Sequence, residues 1–360
     1  MSLKRSIYSN NIYVNGLYRE MNSKIVEGGT ARDYAFMNWI KNSINNCKEI
    51  PLSPNRVKNI YRIFTALISK RDFNIIFQYP RIGIPIYSSA SIANLYIELV
   101  KFAAKNNNII FDISDIKYEQ VIDLNINVNN IEKIKRFENN FFRLPAKFIF
   151  AAYSMREYAC KKYLLDIENT DVCINGGIEN TYSITSPLEK YIEKNKINYI
   201  YAGTLNKGRQ IEEMISNFPN SEKHNLLLLG SEGEWINNYG LPRNIKYLGG
   251  IEEKEAHYLA SKCDIGLIPY DESKLYYNIA YPTKLSFYIT AGIPFLSTAV
   301  NEVKRINQKY GIGFTNEISN WSNVINNITL EQIEDIKTKI SNIKEEFYWN
   351  TIFSKNKFIR

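Results

Sequence analysis

Residues 199–209 read YIYAGTLNKGR. An apolar run ends at Ala202, a glycine follows, and a short polar loop carries Lys207 and Gly208 into a helical pattern over 208–217. Strand, backbone turn and helix stand in the order that a parallel α/β unit requires. Gly203 lets the backbone come close to a ligand. Lys207 stands just before the expected helix N-terminus, where free N–H groups and an ammonium together suit a phosphate. The same residues also fit an ordinary strand–loop–helix connection with a solvated lysine.

The rhythm continues on both sides. Downstream, strands are expected over 225–229, 245–248, 265–268 and 295–297, with helices over 253–262 and 283–291 and a charged amphipathic helix over 330–347. Upstream, strands over 6–14, 74–78, 108–113, 147–151 and 171–174 alternate with helices over 31–45, 56–69, 92–105, 133–142 and 154–162. Gly28-Gly29-Thr30 reads as a flexible turn before the first of these helices. Alternation of this kind predicts parallel sheets covered on both faces. A polar stretch over 185–196 separates two such units. Ligands of these sheets bind beyond the carboxyl ends of the strands, so the loops after strands carry most weight.

Composition narrows the partners. Forty-five basic and thirty-seven acidic side chains leave a net charge of +8 over 360 residues, which favours anionic ligands or an acidic membrane surface. The charge is spread along the chain and no nucleic-acid module is recognisable, so nucleic acid is not an expected partner. No apolar run approaches the roughly 18 residues of a spanning helix. The opening MSLKRSIYSNNIYVNG lacks an apolar signal core. Cys47, Cys160, Cys173 and Cys263 form no CxxC pair, so reduced thiols and a cytoplasmic location are expected rather than a zinc site or a disulfide framework. Two histidines exclude a multi-histidine metal centre, and His257 reads as a surface residue of its helix.

A second informative stretch is 281–296, YPTKLSFYITAGIPFL. Pro282 fits a helix start and Lys284 falls in the first turn. A cation there opposes the helix dipole by about a few tenths of a kcal/mol, a conflict that a nearby anion removes. The alternative is a lysine that snorkels along the surface.

Taken in order, the Gly–turn–Lys–Gly unit, the strand ending at Gly230, the YLGGI turn, CDIGLIPY and PTKLSFYITAGIPFLS resemble the nucleotide-sugar half of a GT-B-fold glycosyltransferase. The similarity is to bacterial galactofuranosyltransferase-type enzymes and to glucosyltransferases that extend glycans on serine-rich adhesins. NIIFQYP resembles a strand and turn of their first half. The resemblance implies an α/β chain with two Rossmann-like domains facing a central cleft. It further implies that Gly203, Thr204 and Lys207 approach the donor phosphates, and that Lys284 reaches the same diphosphate. Gly249 and Gly250 would then lie near the nucleoside, and Tyr281 would shape the pocket. Many retaining relatives carry Arg where this chain has Thr204, and Glu where it has Phe287, which leaves the anomeric outcome open.

The first half is then expected to hold the acceptor. Gly28, Gly29, Thr30, Ala31 and Arg32 resemble the glycine-rich loop after the first strand of such enzymes. Asp112, near the end of its strand, is the candidate base for the acceptor hydroxyl, with Glu119 a substitute; Asp115 alternatively caps the next helix. No Asp-x-Asp occurs, so a metal-independent reaction is expected, with no cofactor and the UDP-sugar as substrate. Basic and aromatic residues interleave over 133–156, either as core with a solvated face or as a peripheral membrane contact at the inner face of the membrane.

These expectations divide the chain into an acceptor domain (1–185), a donor domain (186–330) and a C-terminal helical piece (331–360) that packs back toward the first. The expected activity is transfer of a sugar from a UDP-sugar to a glycan, lipid-linked or protein acceptor in surface-polysaccharide or glycoprotein synthesis. A non-catalytic subunit of a transferase complex, a nucleotide-sugar epimerase and a homo-oligomer remain alternatives at this level.

Overall fold

The computed structural model describes residues 10–15, 28–51, 56–79, 89–179 and 185–359. The first strand, β1, is Asn10–Asn15, so the first residues of the expected strand lie outside the described ones. The chain forms two compact units. The first contains β1, Asp33–Ile174 and the end of the chain from Phe353, and the second contains Lys24–Arg32 and Asn175–Ile352. The boundary therefore falls at Ile174/Asn175 and not at 185/186. The last stretch is not one piece: the helix Leu330–Ile343 belongs to the second unit. Gly177 bonds Phe347 and Trp349 through its backbone there, whereas Asn356 donates to Asp171 and Cys173 of the first unit. Among the described residues no helix is long and apolar enough to cross a membrane.

In the first unit, β1 is joined by β2 (Cys47–Pro51), β3 (Phe73–Gln78), β4 (Asn108–Ile113), β5 (Lys147–Phe150) and β6 (Thr170–Val172). They form a six-stranded parallel sheet in the order β2-β1-β3-β4-β5-β6. CKEIP of β2 has no apolar run to announce it; as an edge strand it needs one partner only, and β1 provides it. Helix α1 (Gly28–Ser43) starts at Gly28, so the expected turn at 28–30 is its first turn.

Aromatic rings pack beside β4 and β5. Phe137, Phe141, Phe142, Phe148 and Phe150 are all buried, with Phe111 and Phe141 ring centroids 4.6 Å apart. The five phenylalanines of 133–156 are thus core, while Tyr153 is 38% exposed.

Glu138 is fully buried in this layer. Its carboxylate accepts from the amide of Lys117 at 2.7 Å and from the hydroxyls of Tyr79 at 2.9 Å and Tyr163 at 3.1 Å. The helix Lys117–Asp123 has Ile116 as its N-cap residue with no side-chain cap bond, so Glu138 serves its first amides. Asp115, expected as a cap, pairs with Lys117 Nζ at 3.2 Å. Burial, and then the charge of Glu119, push the Glu138 carboxyl up to about 7. Its folded value lies above the unfolded one, so its stabilising contribution is complete below about pH 4.5 and is lost as pH rises through about 7. Glu138→Gln should therefore gain on the wild type between pH 5 and pH 8, read from urea midpoints at the two pH values.

The second unit repeats the architecture. Its strands are β7 (Ile197–Ala202), β8 (His224–Leu229), β9 (Ile245–Gly249), β10 (Ile265–Ile268), β11 (Phe295–Ser297) and β12 (Gly313–Thr315). They form a parallel sheet in the order β12-β11-β10-β7-β8-β9. After β7 the chain builds outward through β8 and β9, then returns to the other side of β7 with β10. The order therefore reverses between β7 and β10, and their following loops diverge there. In the first unit the reversal lies between β1 and β3, and the loops that leave those strands, 16–27 and 80–88, are outside the described residues.

Candidate functional site

The site grows from the divergence of β7 and β10. Their ladder holds only Ile265 opposite Tyr199 and Gly266 opposite Ile200. Tyr288, on the helix Thr283–Ala291 (α10 in chain order), fills the space where the strands part. Its hydroxyl accepts from the amide of Ala202 at 3.1 Å and lies 3.2 Å from the carbonyls of Ile200 and Leu267. Buried backbone groups left by the splay are satisfied in this way. The tyrosine of the 281–296 motif is thus a tie between strands.

Beyond Tyr288 the strand tips are glycines. Gly203 has φ +150° and Gly230 φ +151°, and a Cβ on Gly230 would stand 1.8 Å from the carbonyl oxygen of Gly203. The amide of Gly203 donates to Leu229 and that of Gly230 to Gly249, each at 2.9 Å. Gly249 has φ +78°, and a Cβ on Gly250 would lie 3.6 Å from the amide nitrogen of Ser231. Gly203, Gly230, Gly249 and Gly250 therefore form one continuous edge of bare backbone. Ser231 Oγ, next to Gly230, and Gln210 Oε1, in the loop after β7, are buried without a hydrogen-bond partner among the described residues.

Lys284 projects onto this edge. A Cβ on Gly203 would lie 2.5 Å from its Nζ, so only a glycine admits the lysine there. The ammonium lies 4.8 Å from the ring centroid of Tyr201, in β7, and 5.5 Å from that of Tyr270, which follows β10. Burial, and then the Arg209 guanidinium, push Lys284 down to about 7. Among the described residues no carboxylate pairs with Lys284 or Arg209. Two cations near a helix N-terminus, with aromatic faces and side-chain-free glycine backbone around them, form a site short of negative charge.

The other expected residues are placed as follows. Thr204 gives its carbonyl to the Tyr201 hydroxyl at 2.8 Å. Lys207 is exposed, its ammonium 5.3 Å from the Trp235 ring, and Trp235 donates to the Leu205 carbonyl at 2.7 Å. The helix after this loop is only Ile211–Ser216, and Glu212 takes the amide of Gly208 at 3.2 Å. Lys207 therefore does not stand at a helix N-terminus, because Gln210, in the left-handed region at φ 59°, delays the helix. Tyr281 is buried, and its hydroxyl is 2.8 Å from Ser286 Oγ. Arg32 is 2% exposed and donates to Asn175 at 3.3 Å, both in the second unit. Gly28 and Gly29 lie in the first turn of α1.

Asp112 is 1% exposed inside β4, one strand away from the β1/β3 reversal. Glu119 is committed to Lys162 and to the Tyr158 hydroxyl. His257 is buried, not on the surface: Nε2 meets Thr290 Oγ1 at 3.0 Å, its ring packs edge-on to Phe287, and burial pushes it down to about 4. The neighbours that cover it, Thr290 and Phe287, come from another helix and leave no mark in the charged sequence of 253–262. Sequence reasoning also assigned no role to Arg209 and Tyr270, although each is the last residue of a stretch it had singled out.

Residues 199–358 match the family whose model is described as Glucosyltransferase 3-like, C-terminal domain. No curated protein matches the chain. Among solved structures, Anabaena HepE in complex with UDP-glucose superposes with a TM-score of 0.62 at 13% identity, covering 96% of this chain and 97% of that one. Sucrose-phosphate synthase from Thermosynechococcus elongatus gives 0.64 at 11% identity, covering 95% and 96%. A glycosyltransferase from Rickettsia africae gives 0.60 at 15%, covering 96% of each chain. The architecture is the GT-B fold of glycosyltransferases.

Proposed function

We propose that the protein transfers a sugar from a UDP-sugar to a glycan, glycolipid or glycoprotein acceptor, with the donor held by the second unit and the acceptor by the first. The observation that carries this reading is the seat of Lys284. Its ammonium rests against Gly203, beside Arg209 and between two tyrosine faces, at the point where the strand order reverses. A diphosphate placed there would meet the charge the site lacks. Gly203, Thr204 and Gly230 offer close backbone approach, Lys207 stands at the rim, and Gly249, Gly250 and the Ser231 hydroxyl line the nucleoside side. During transfer, negative charge builds on the departing UDP, and fixed cations stabilise that charge more than the ground state. The family match over 199–358 and the UDP-glucose held by the HepE structure support a nucleotide-sugar donor.

The test is thermal unfolding with UDP, UDP-glucose and UDP-N-acetylglucosamine, followed by UDP release with candidate acceptors. Ligand at one hundred times its Kd adds about 2.7 kcal/mol, a clear shift in Tm. Absence of any shift at millimolar nucleotide would overturn the reading. Binding without UDP release across an acceptor panel would instead favour a non-catalytic subunit, and interconversion of the free nucleotide-sugar an epimerase.

A further inference from the structure

Lys284 is placed by a chain of buried hydrogen bonds that begins far from it in sequence. Arg32 Nη1 donates to Asn175 Oδ1 at 3.3 Å. Asn175 Nδ2 donates to the Tyr281 carbonyl at 3.2 Å, and the Asn175 carbonyl accepts from Ser286 Oγ at 2.6 Å. The Tyr281 hydroxyl closes the loop on Ser286 at 2.8 Å. One asparagine thus grips α10 on both sides of Lys284, three residues before it and two after. The neighbouring backbone lies flush on the same helix: a Cβ on Gly177 would stand 2.7 Å from the Ser286 carbonyl oxygen and 2.2 Å from Thr290 Oγ1. Arg32, Asn175, Tyr281 and Ser286 are all buried. Arg32 and Asn175 are also the two residues at which the chain leaves and re-enters the second unit.

We propose that Arg32 is a positioning residue for the donor-site lysine: by holding Asn175 it fixes the start of α10 and keeps Lys284 at the strand divergence. Arg32 is accordingly a donor-side residue, not the acceptor-side one its sequence context suggested. Its link to nucleotide binding rests on the donor reading above, but its effect on Lys284 does not. The groups around the ammonium are Tyr201 from β7, Tyr270 after β10 and Arg209 from the loop after β7, with Tyr277 and Tyr288 next to Tyr201. None of them belongs to the Arg32 chain, so releasing that chain changes the seat of Lys284 without altering its charged neighbours.

The experiment is competitive acylation of the full-length protein with acetic anhydride, with the Lys284 peptide quantified by mass spectrometry from pH 5.5 to 10. In the wild type Lys284 should react half-maximally near pH 7. In Arg32→Met and Asn175→Ala the midpoint should rise by about one unit or more as the amine returns to water, with Arg32→Lys between. UDP affinity measured on the same variants by calorimetry should fall about tenfold, and Arg32→Met should add nothing in a Lys284→Met background. An unchanged midpoint in folded Arg32→Met and Asn175→Ala overturns the proposal. If Arg32→Met does not fold, Asn175→Ala and Ser286→Ala decide, since they break the same chain on the α10 side. Failure of the wild type to bind UDP would sink the donor reading and leave the acylation result to judge Arg32.

Discussion

Lys284→Met is expected to weaken UDP binding about 100-fold while making the unliganded protein more stable near pH 6. The first half follows from removing the cation that stands against Gly203, because a hydrogen bond to a charged group contributes about 1.5–3 kcal/mol. The second follows from burial. Lys284 is held down at about 7, while in the unfolded chain it titrates near its ordinary value, so the folded state penalises the ammonium. That penalty is complete below about pH 7 and is relieved as pH rises toward the unfolded value. Methionine keeps the length, packs against the Tyr201 and Tyr270 rings and carries no charge. The Tm difference between variant and wild type should thus be largest at pH 6 and shrink by pH 9. A diphosphate would restore the ammonium, so wild-type binding should take up a proton above pH 7. Its affinity should there fall by about tenfold per pH unit. Calorimetry in buffers of different ionisation enthalpy measures the uptake, and Lys284→Met should abolish it.

Gly230→Ala carries the largest expected effect on stability. A Cβ would stand 1.8 Å from the carbonyl oxygen and 2.6 Å from the carbonyl carbon of Gly203, both backbone atoms in a strand tip. Neither can swing aside as a side chain would. Overpacking and a backbone conformation that alanine resists together cost about 2–6 kcal/mol. Urea unfolding should show this as a lower midpoint at constant slope. UDP binding should be lost as well, since the β7 and β8 tips must part. Gly240→Ala is the control: its φ is +72° with open space around the missing Cβ, so only about 1 kcal/mol of backbone strain is expected.

Much of the frame was legible because its signals are local. NIIFDI, IGLI and FLS are strands with the predicted bounds, and the helices 253–262 and 283–291 likewise. IGLI is closed by Pro269 and the helix 283–291 by Gly292, and an apolar run with such a stop leaves few other conformations open. What was misread depends on contacts made at a distance. Edge strand β2 is half charged and exists because β1 offers it a ladder. Charged sequence hid the burial of His257 and Glu138, whose partners Thr290, Tyr79 and Tyr163 come from other elements. The helix after β7 is expected from Gly208, but Gln210 at φ 59° holds its start back to Ile211.

The amino-acid order alone determined the two parallel α/β sheets, the bare glycine tips and the presence of lysines beside them, since these follow from hydrophobic runs and from the freedom of glycine. Only the tertiary structure decided which lysine occupies the strand divergence, that Arg209 and Tyr270 join it, and that Arg32 acts through Asn175 on its helix. Strand order and side-chain enclosure arise from pairing across long stretches of chain, and a local pattern carries no record of which distant surfaces will meet.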